Sequence, residues 1–208
     1  MGDAKQPGRD QTWWHLAIRG WRSAPGRRFH LAVAVPLVMI LWAATHPGFD
    51  FWPLFVAIPL LAGFGVVWLV RLVAWITSVE RGGSRRWIVA PVMVLAAFAL
   101  VTSDVPLRVR FWIARDSFDE VVEGLRPAGT FENWERLGTP DRIGTYEITV
   151  VYQVGENVIF YESAGSLFND AGFAYLPNGP DARLGNGNFE APVFRSLGGG
   201  WYAWTASW

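Results

Sequence analysis

Residues 87–126 read WIVAPVMVLAAFALVTSDVPLRVRFWIARDSFDEVVEGLR. The first seventeen of these, 87–103, carry no charge. From 105 the pattern turns mixed, with arginines and carboxylates among apolar residues. An uncharged run that passes through a break at Pro106 into an amphipathic run predicts a membrane helix leading into the first helix of a water-facing domain. The fold class expected is therefore membrane α-helical, with three transmembrane helices, followed by a small α+β domain made of an amphipathic helix and an antiparallel sheet.

Upstream, 29–49 is free of Asp, Glu, Lys and Arg, and so is 51–70, with apolar character continuing to 76. About 20 apolar residues span a bilayer core, so both stretches read as spans. The expected spans are 29–48, 51–76 and 87–103. Each holds one proline, Pro36, Pro59 or Pro91, which membrane helices tolerate when neighbours satisfy the freed carbonyl. Before them, residues 1–28 form an expected cytoplasmic segment. Within it Trp14, Ile18 and Trp21 fall on one face of a short interfacial helix.

The two halves differ in charge. Residues 1–103 carry ten Lys/Arg against four Asp/Glu, and residues 104–208 carry eight against fourteen. Arginines concentrate in 1–28 and 71–86, while the 46–51 turn has none. Positive loops stay inside, so the N-terminus is expected in the cytoplasm and 104–208 outside the plasma (inner) membrane. Arg108 and Arg110, just past the third span, pull the other way. No bulk basic patch exists for nucleic acid. Cysteine is absent, which removes disulfides, thiol catalysis and Cys-ligated zinc. Thirteen tryptophans suit a chain with many membrane-interface positions.

In the tail, Ile113, Phe118, Val121, Val122 and Leu125 offer the apolar side of the amphipathic helix. Asp116, Glu120 and Glu123 form a stripe that reads as a solvated face. An irregular connection is expected over 127–138. From Ile143 the period becomes two, giving a hairpin around 154–157, a short strand at 172–176, and a last hairpin around Gly198–Gly200. That makes about five antiparallel strands with one helix.

The segments GFAYLPNGP (172–180) and FRSLGGGWYAWT (194–205) resemble the closing segments of uncharacterised multi-pass membrane proteins common in actinobacteria. The resemblance covers the last third of the chain and its general layout. It implies a few N-terminal spans with a short exported domain, and no activity. In outline, a span running into a helix and an antiparallel sheet is also similar to a type IV pilin, but the two preceding spans and the missing leader-cleavage pattern depart from it.

Catalytic groups are not assigned. His15, His30 and His46 all lie in the half read as membrane, away from any G-x-S-x-G, so a histidine-based triad in the tail is not expected. Glu147, Glu156 and Glu162 are candidate carboxylates, matched equally well by strand surface charges. Asn186, Asn188 and Glu190 offer oxygens on a Gly-rich loop, but Arg183 and Gly185 break the calcium-loop spacing. No metal and no cofactor is expected. Tyr202, Trp204 and Trp208 share a strand face, and form the candidate ligand-binding set by ring stacking. The expected role is non-enzymatic binding or scaffolding at the cell envelope. The partners are the lipid bilayer and an envelope protein or wall polymer. An oligomeric transport or channel subunit, packed through Gly63 and Gly65, and a membrane-tethered carboxylate enzyme are the alternatives.

Overall fold

A computed structural model describes residues 24–78, 85–125, 134–138, 141–164, 169–185 and 190–207. The expected interfacial helix at 14–21 lies outside these residues, as do Asn186, Asn188 and Trp208. Among the described residues, four α-helices and a seven-stranded antiparallel sheet make an α+β arrangement. It divides into two compact units, one of residues 1–37 and 56–97, the other of 38–55 and 98–208.

The first unit is helical. It takes in most of α1 (Arg27–Ala43), α2 (Phe51–Ile76) and α3 (Arg86–Thr102). The three prolines lie inside these helices. Phe29 meets Phe64 edge-on at 5.9 Å, and Trp87 packs against Trp68 at 6.3 Å and Trp75 at 5.6 Å. An apolar cavity of about 410 Å³ is lined by Val33, Leu61, Gly65, Ala90 and Val94 among others. Few side chains are buried, and large apolar ones such as Leu31, Val66 and Leu95 point outward. Among the described residues only α2, with 26 residues and a mean hydropathy of 2.3 in its most apolar stretch, is long and apolar enough by itself to cross a membrane; α3 and the helix of residues 105–123 pass together as a pair bent by 54°. The helices at the other two expected spans end sooner, at 17 residues each, short of the roughly 20 that a bilayer core requires. A turn closes α1 at Ala43, because the chain must fold back at His46–Pro47–Gly48.

The second unit packs α4 (Val105–Glu123) against the sheet. Strands β1 (Glu135–Leu137), β2 (Arg142–Ile143), β3 (Tyr146–Val154), β4 (Asn157–Glu162), β5 (Asn169–Tyr175), β6 (Glu190–Gly198) and β7 (Trp201–Ser207) are ordered β1-β3-β4-β5-β7-β6, with β2 also paired to β3. Two short strands therefore lie in and beside the stretch read as irregular.

Leu107, Phe111, Ala114 and Phe118 recur at i, i+4, i+7 and i+11, and form the buried side of α4. They meet Tyr146, Ile148, Val151, Phe160, Phe173 and Trp201 of the sheet. Phe111 stacks on Phe173 at 5.0 Å, and Phe118 meets Phe160 edge-on at 5.2 Å. The Trp201 indole N–H donates to Asp119 Oδ1 at 2.8 Å. Ile113, expected on this side, is 64% exposed. It lies five residues before Phe118, about 140° round the helix. A register shift between Ile148 and Val150 lets Tyr146, Ile148 and Val151 face the helix despite their odd spacing.

Candidate functional site

Two features of the second unit carry polar or aromatic groups in arrangements that packing alone does not require. The first is a cluster of charged and polar side chains around His46. The turn after α1 is built by backbone bonds from His46 and Asp50 N–H to the Ala43 carbonyl. Asp50 caps α2 by accepting from the Trp52 N–H at 3.2 Å. His46 thereby reaches Glu162 at the end of β4, 116 residues on, and its Nδ1 lies 2.5 Å from Glu162 Oε1. Both side chains are buried. Arg110, from α4, donates to His46 Nε2 at 2.7 Å and to Thr45 Oγ1 at 2.9 Å. It also reaches the Thr145 carbonyl at 2.5 Å. Its guanidinium lies 4.2 Å from the Tyr146 ring centre and 5.1 Å from that of Trp42. The Tyr146 hydroxyl donates to the Thr45 carbonyl at 3.2 Å.

A guanidinium can only donate. Nε2 of His46 therefore accepts, and Nδ1 carries the proton given to Glu162. The chain Arg110, His46, Glu162 is a positive charge, a neutral ring and a negative charge in line. A histidine oriented by a carboxylate is half of a catalytic triad, yet the nitrogen that would face a nucleophile is occupied by Arg110. Histidine was set apart from the tail in the sequence reading; the structure joins His46 to it. A cavity of about 290 Å³ beside the cluster is lined by Trp42, Asp50, Arg142, Glu147 and Ser163 among others. Of the other candidate carboxylates, Glu147 is exposed and pairs with Arg142 at 3.5 Å, and Glu156 accepts from Asn178 at 3.2 Å.

A second tie lies close by in sequence. Arg195 of β6 donates to Asp104 Oδ1 and to the Pro47 carbonyl, both at 2.5 Å. Asp104 sits in the left-handed region at φ 54° between α3 and α4, and its carboxylate makes no cap to α4. An Asp tolerates that backbone.

Burial pushes the Tyr146 phenol well above its ordinary value; Arg110 opposes this and Glu162 adds to it. Burial does the same to Tyr161, with Asp170 and Tyr152 adding. A raised folded value means that the stability tied to these neutral phenols is complete below about pH 10, the unfolded value, and is lost as pH rises above it. In an alkaline titration these two of the five tyrosines are expected to ionise only as the domain unfolds. A step in absorbance at 295 nm should coincide with loss of near-UV dichroism. Ionisation of all five with the dichroism intact would contradict the burial.

The second feature is a row of rings on the sheet face opposite α4. Trp134 meets Tyr152 at 5.7 Å, Tyr152 meets Tyr161 at 5.7 Å, and Tyr161 meets Trp204 at 4.7 Å. Phe194 meets Tyr202 at 6.4 Å. Tyr161, Gly172, Trp204 and Phe194 are direct cross-strand neighbours. Gly172 leaves room for the Trp204 indole, whose N–H donates to the Phe173 carbonyl at 3.0 Å. Trp204 is fully buried within the second hydrophobic cluster, with Val154, Ile159, Leu176 and Leu184. Tyr202, with Trp134, Tyr152, Tyr161 and Phe194, is only partly buried. Of the three aromatics singled out from sequence, Tyr202 thus keeps some surface and Trp204 has none. The other four rings, Trp134, Tyr152, Tyr161 and Phe194, were missed; for Tyr152 the alternation along β3 is interrupted by the register shift between Ile148 and Val150.

No family model matches the chain, and no curated protein or solved structure is similar enough to be matched to it.

Proposed function

We propose that this chain is a three-span membrane protein that holds a small α+β domain outside the plasma membrane, where it serves a binding or scaffolding role at the cell envelope. The observation that supports this reading is the tie made by Arg195. It grips Pro47, just before α2, and Asp104, just after α3. The chain therefore leaves at one point and returns to it. If α2 crosses a bilayer, α3 must cross back. At 1.5 Å per residue, 17 helical residues reach about 26 Å, and Arg27, Arg28 and Arg86, in the first turns of those helices, reach the headgroups by snorkelling. Outward-facing apolar side chains on all three helices suit lipid.

Binding is carried by the half-buried row of Trp134, Tyr152, Tyr161, Phe194 and Tyr202, which offers ring faces to the sugars of a wall polymer or to a protein groove. The blocked Nε2 of His46 favours a structural role for the polar cluster over a catalytic one. A transport subunit is less well served, since the cavity among the three helices is lined by apolar side chains.

Single cysteines at Ser84 and Glu135, in this naturally cysteine-free chain, test the topology with a membrane-impermeant thiol reagent on intact cells. Glu135→Cys should label and Ser84→Cys should label only after lysis. The reverse would put the domain in the cytoplasm. Labelling of both in intact cells, or of neither before lysis, would remove the paired crossing altogether.

A further inference from the structure

The buried side of α4 is accounted for by the sheet. Its other side is not uniform. Val105, Val109, Trp112 and Ile113 fall at i, i+4, i+7 and i+8, and are all exposed. Trp112, at 75%, is the most exposed large apolar side chain among the described residues. Beyond Ile113 the same side turns acidic, with Asp116, Glu120 and Glu123 exposed. The apolar half is the one next to α3, whose last turns expose Phe98 and Leu100. Arg108 and Arg115 flank the apolar half. Together with Val109, Phe111, Trp112 and Leu197 they line a groove of about 290 Å³. Arg115 also pairs with Asp119 at 3.3 Å, but remains 38% exposed.

We infer that the first half of α4 beds its outer side into the headgroup layer of the membrane that α2 and α3 cross, with Arg108 and Arg115 on lipid phosphates. This rests on the membrane reading given above. Three observations favour a lipid surface over a protein partner. The apolar stripe starts at the helix end that is joined, across a bend of 54°, to an apolar helix. It stops after about two turns, some 12 Å, at carboxylates that anionic lipid would repel. Tryptophan and arginine beside aliphatic residues are the side chains that the boundary between headgroups and acyl chains accepts. Arg110, the other arginine that argued from sequence against an outside tail, is committed to His46, Thr45 and Thr145.

The test uses the full chain in vesicles of phosphatidylcholine and phosphatidylglycerol. Single cysteines at Ile113, Val66 and Glu135 carry an environment-sensitive fluorophore, and the lipids are brominated near the top of the acyl chains. The label at Ile113 should lose at least half its emission, the one at Val66 should be quenched as well, and the one at Glu135 should not change. If Val66 is quenched and Ile113 is not, the inference falls and the membrane reading stands. If neither is quenched, both fall. A label at Ile113 shielded from bromine and from aqueous iodide alike would mean that protein covers this face, and would also overturn the inference. In the Ile113→Cys background, Arg108→Gln with Arg115→Gln should cut the quenching at least twofold. Unchanged quenching would remove the phosphate contacts from the proposal.

Discussion

Glu162→Ala is expected to lower the stability of the domain by about 1.5–3 kcal/mol, the range for a buried hydrogen bond to a charged group. Both side chains are buried, the carboxylate 1% exposed and His46 8%. Without the carboxylate the His46 N–H has no acceptor, and the Arg110 charge loses its compensation through the ring. For a domain of this size the loss corresponds to a fall of roughly 6–24 °C in the thermal midpoint, read by near-UV dichroism of the full chain in detergent. Glu162→Gln keeps an oxygen for the His46 proton and should recover part of the loss. His46→Ala combined with Glu162→Ala should cost less than the two single changes added together. Additive losses, or a Glu162→Ala midpoint equal to that of the parent, would mean that the pair is solvated.

Gly172→Ala is expected to be at least as damaging, for a steric reason. A Cβ at this position falls onto the carbonyl oxygen of Phe160, lies 2.9 Å from its carbonyl carbon, and is 3.2 Å from Cζ2 of Trp204. Two of these obstacles are backbone. β5 is held between β4 and β7 along its length, so it cannot move away without breaking a ladder. Overpacking typically costs 1–3 kcal/mol when side chains can yield; here at least about 3 kcal/mol is expected, with loss of the second hydrophobic cluster. Gly63→Ala is the control, since nothing lies within 4 Å of its Cβ. It should leave the midpoint within about 1 kcal/mol of the parent value. A Gly172→Ala protein that melts with the parent would contradict the close pairing of β4 and β5.

Much of the helical layout was legible because uncharged runs of this length are too long for strands and read as helices even with a proline inside. α2 has the bounds read from sequence, and α3 differs by one residue at each end. Helix length was less legible: the turn that closes α1 is made by backbone bonds to Ala43, which leave no composition signal. On α4 the apolar residues run almost all the way round, so periodicity by itself could not say that Leu107 and Phe111, rather than Ile113, face the sheet. The ring row was half legible, through Tyr202 and Trp204. The polar cluster was not, since its members come from four segments, and local spacing says nothing about residues 116 apart. One signal was present and unused. The three-span reading, with two crossings between residues 50 and 104, itself implies that the His46 turn and the tail share a side of the membrane.

The two ties on that turn also set an order of assembly. During synthesis the turn at 44–50 emerges early, but Glu162 follows His46 by 116 residues and Arg195 follows Pro47 by 148. Contacts this distant in sequence form late, because a long loop must close before they return any free energy. On the membrane reading proposed above, α2 and α3 enter the bilayer before the tie at Pro47 and Asp104 exists, and only the arrival of β6 makes it. A nascent chain stopped short of β6 would leave the Pro47 carbonyl and the Asp104 carboxylate without their Arg195 contacts.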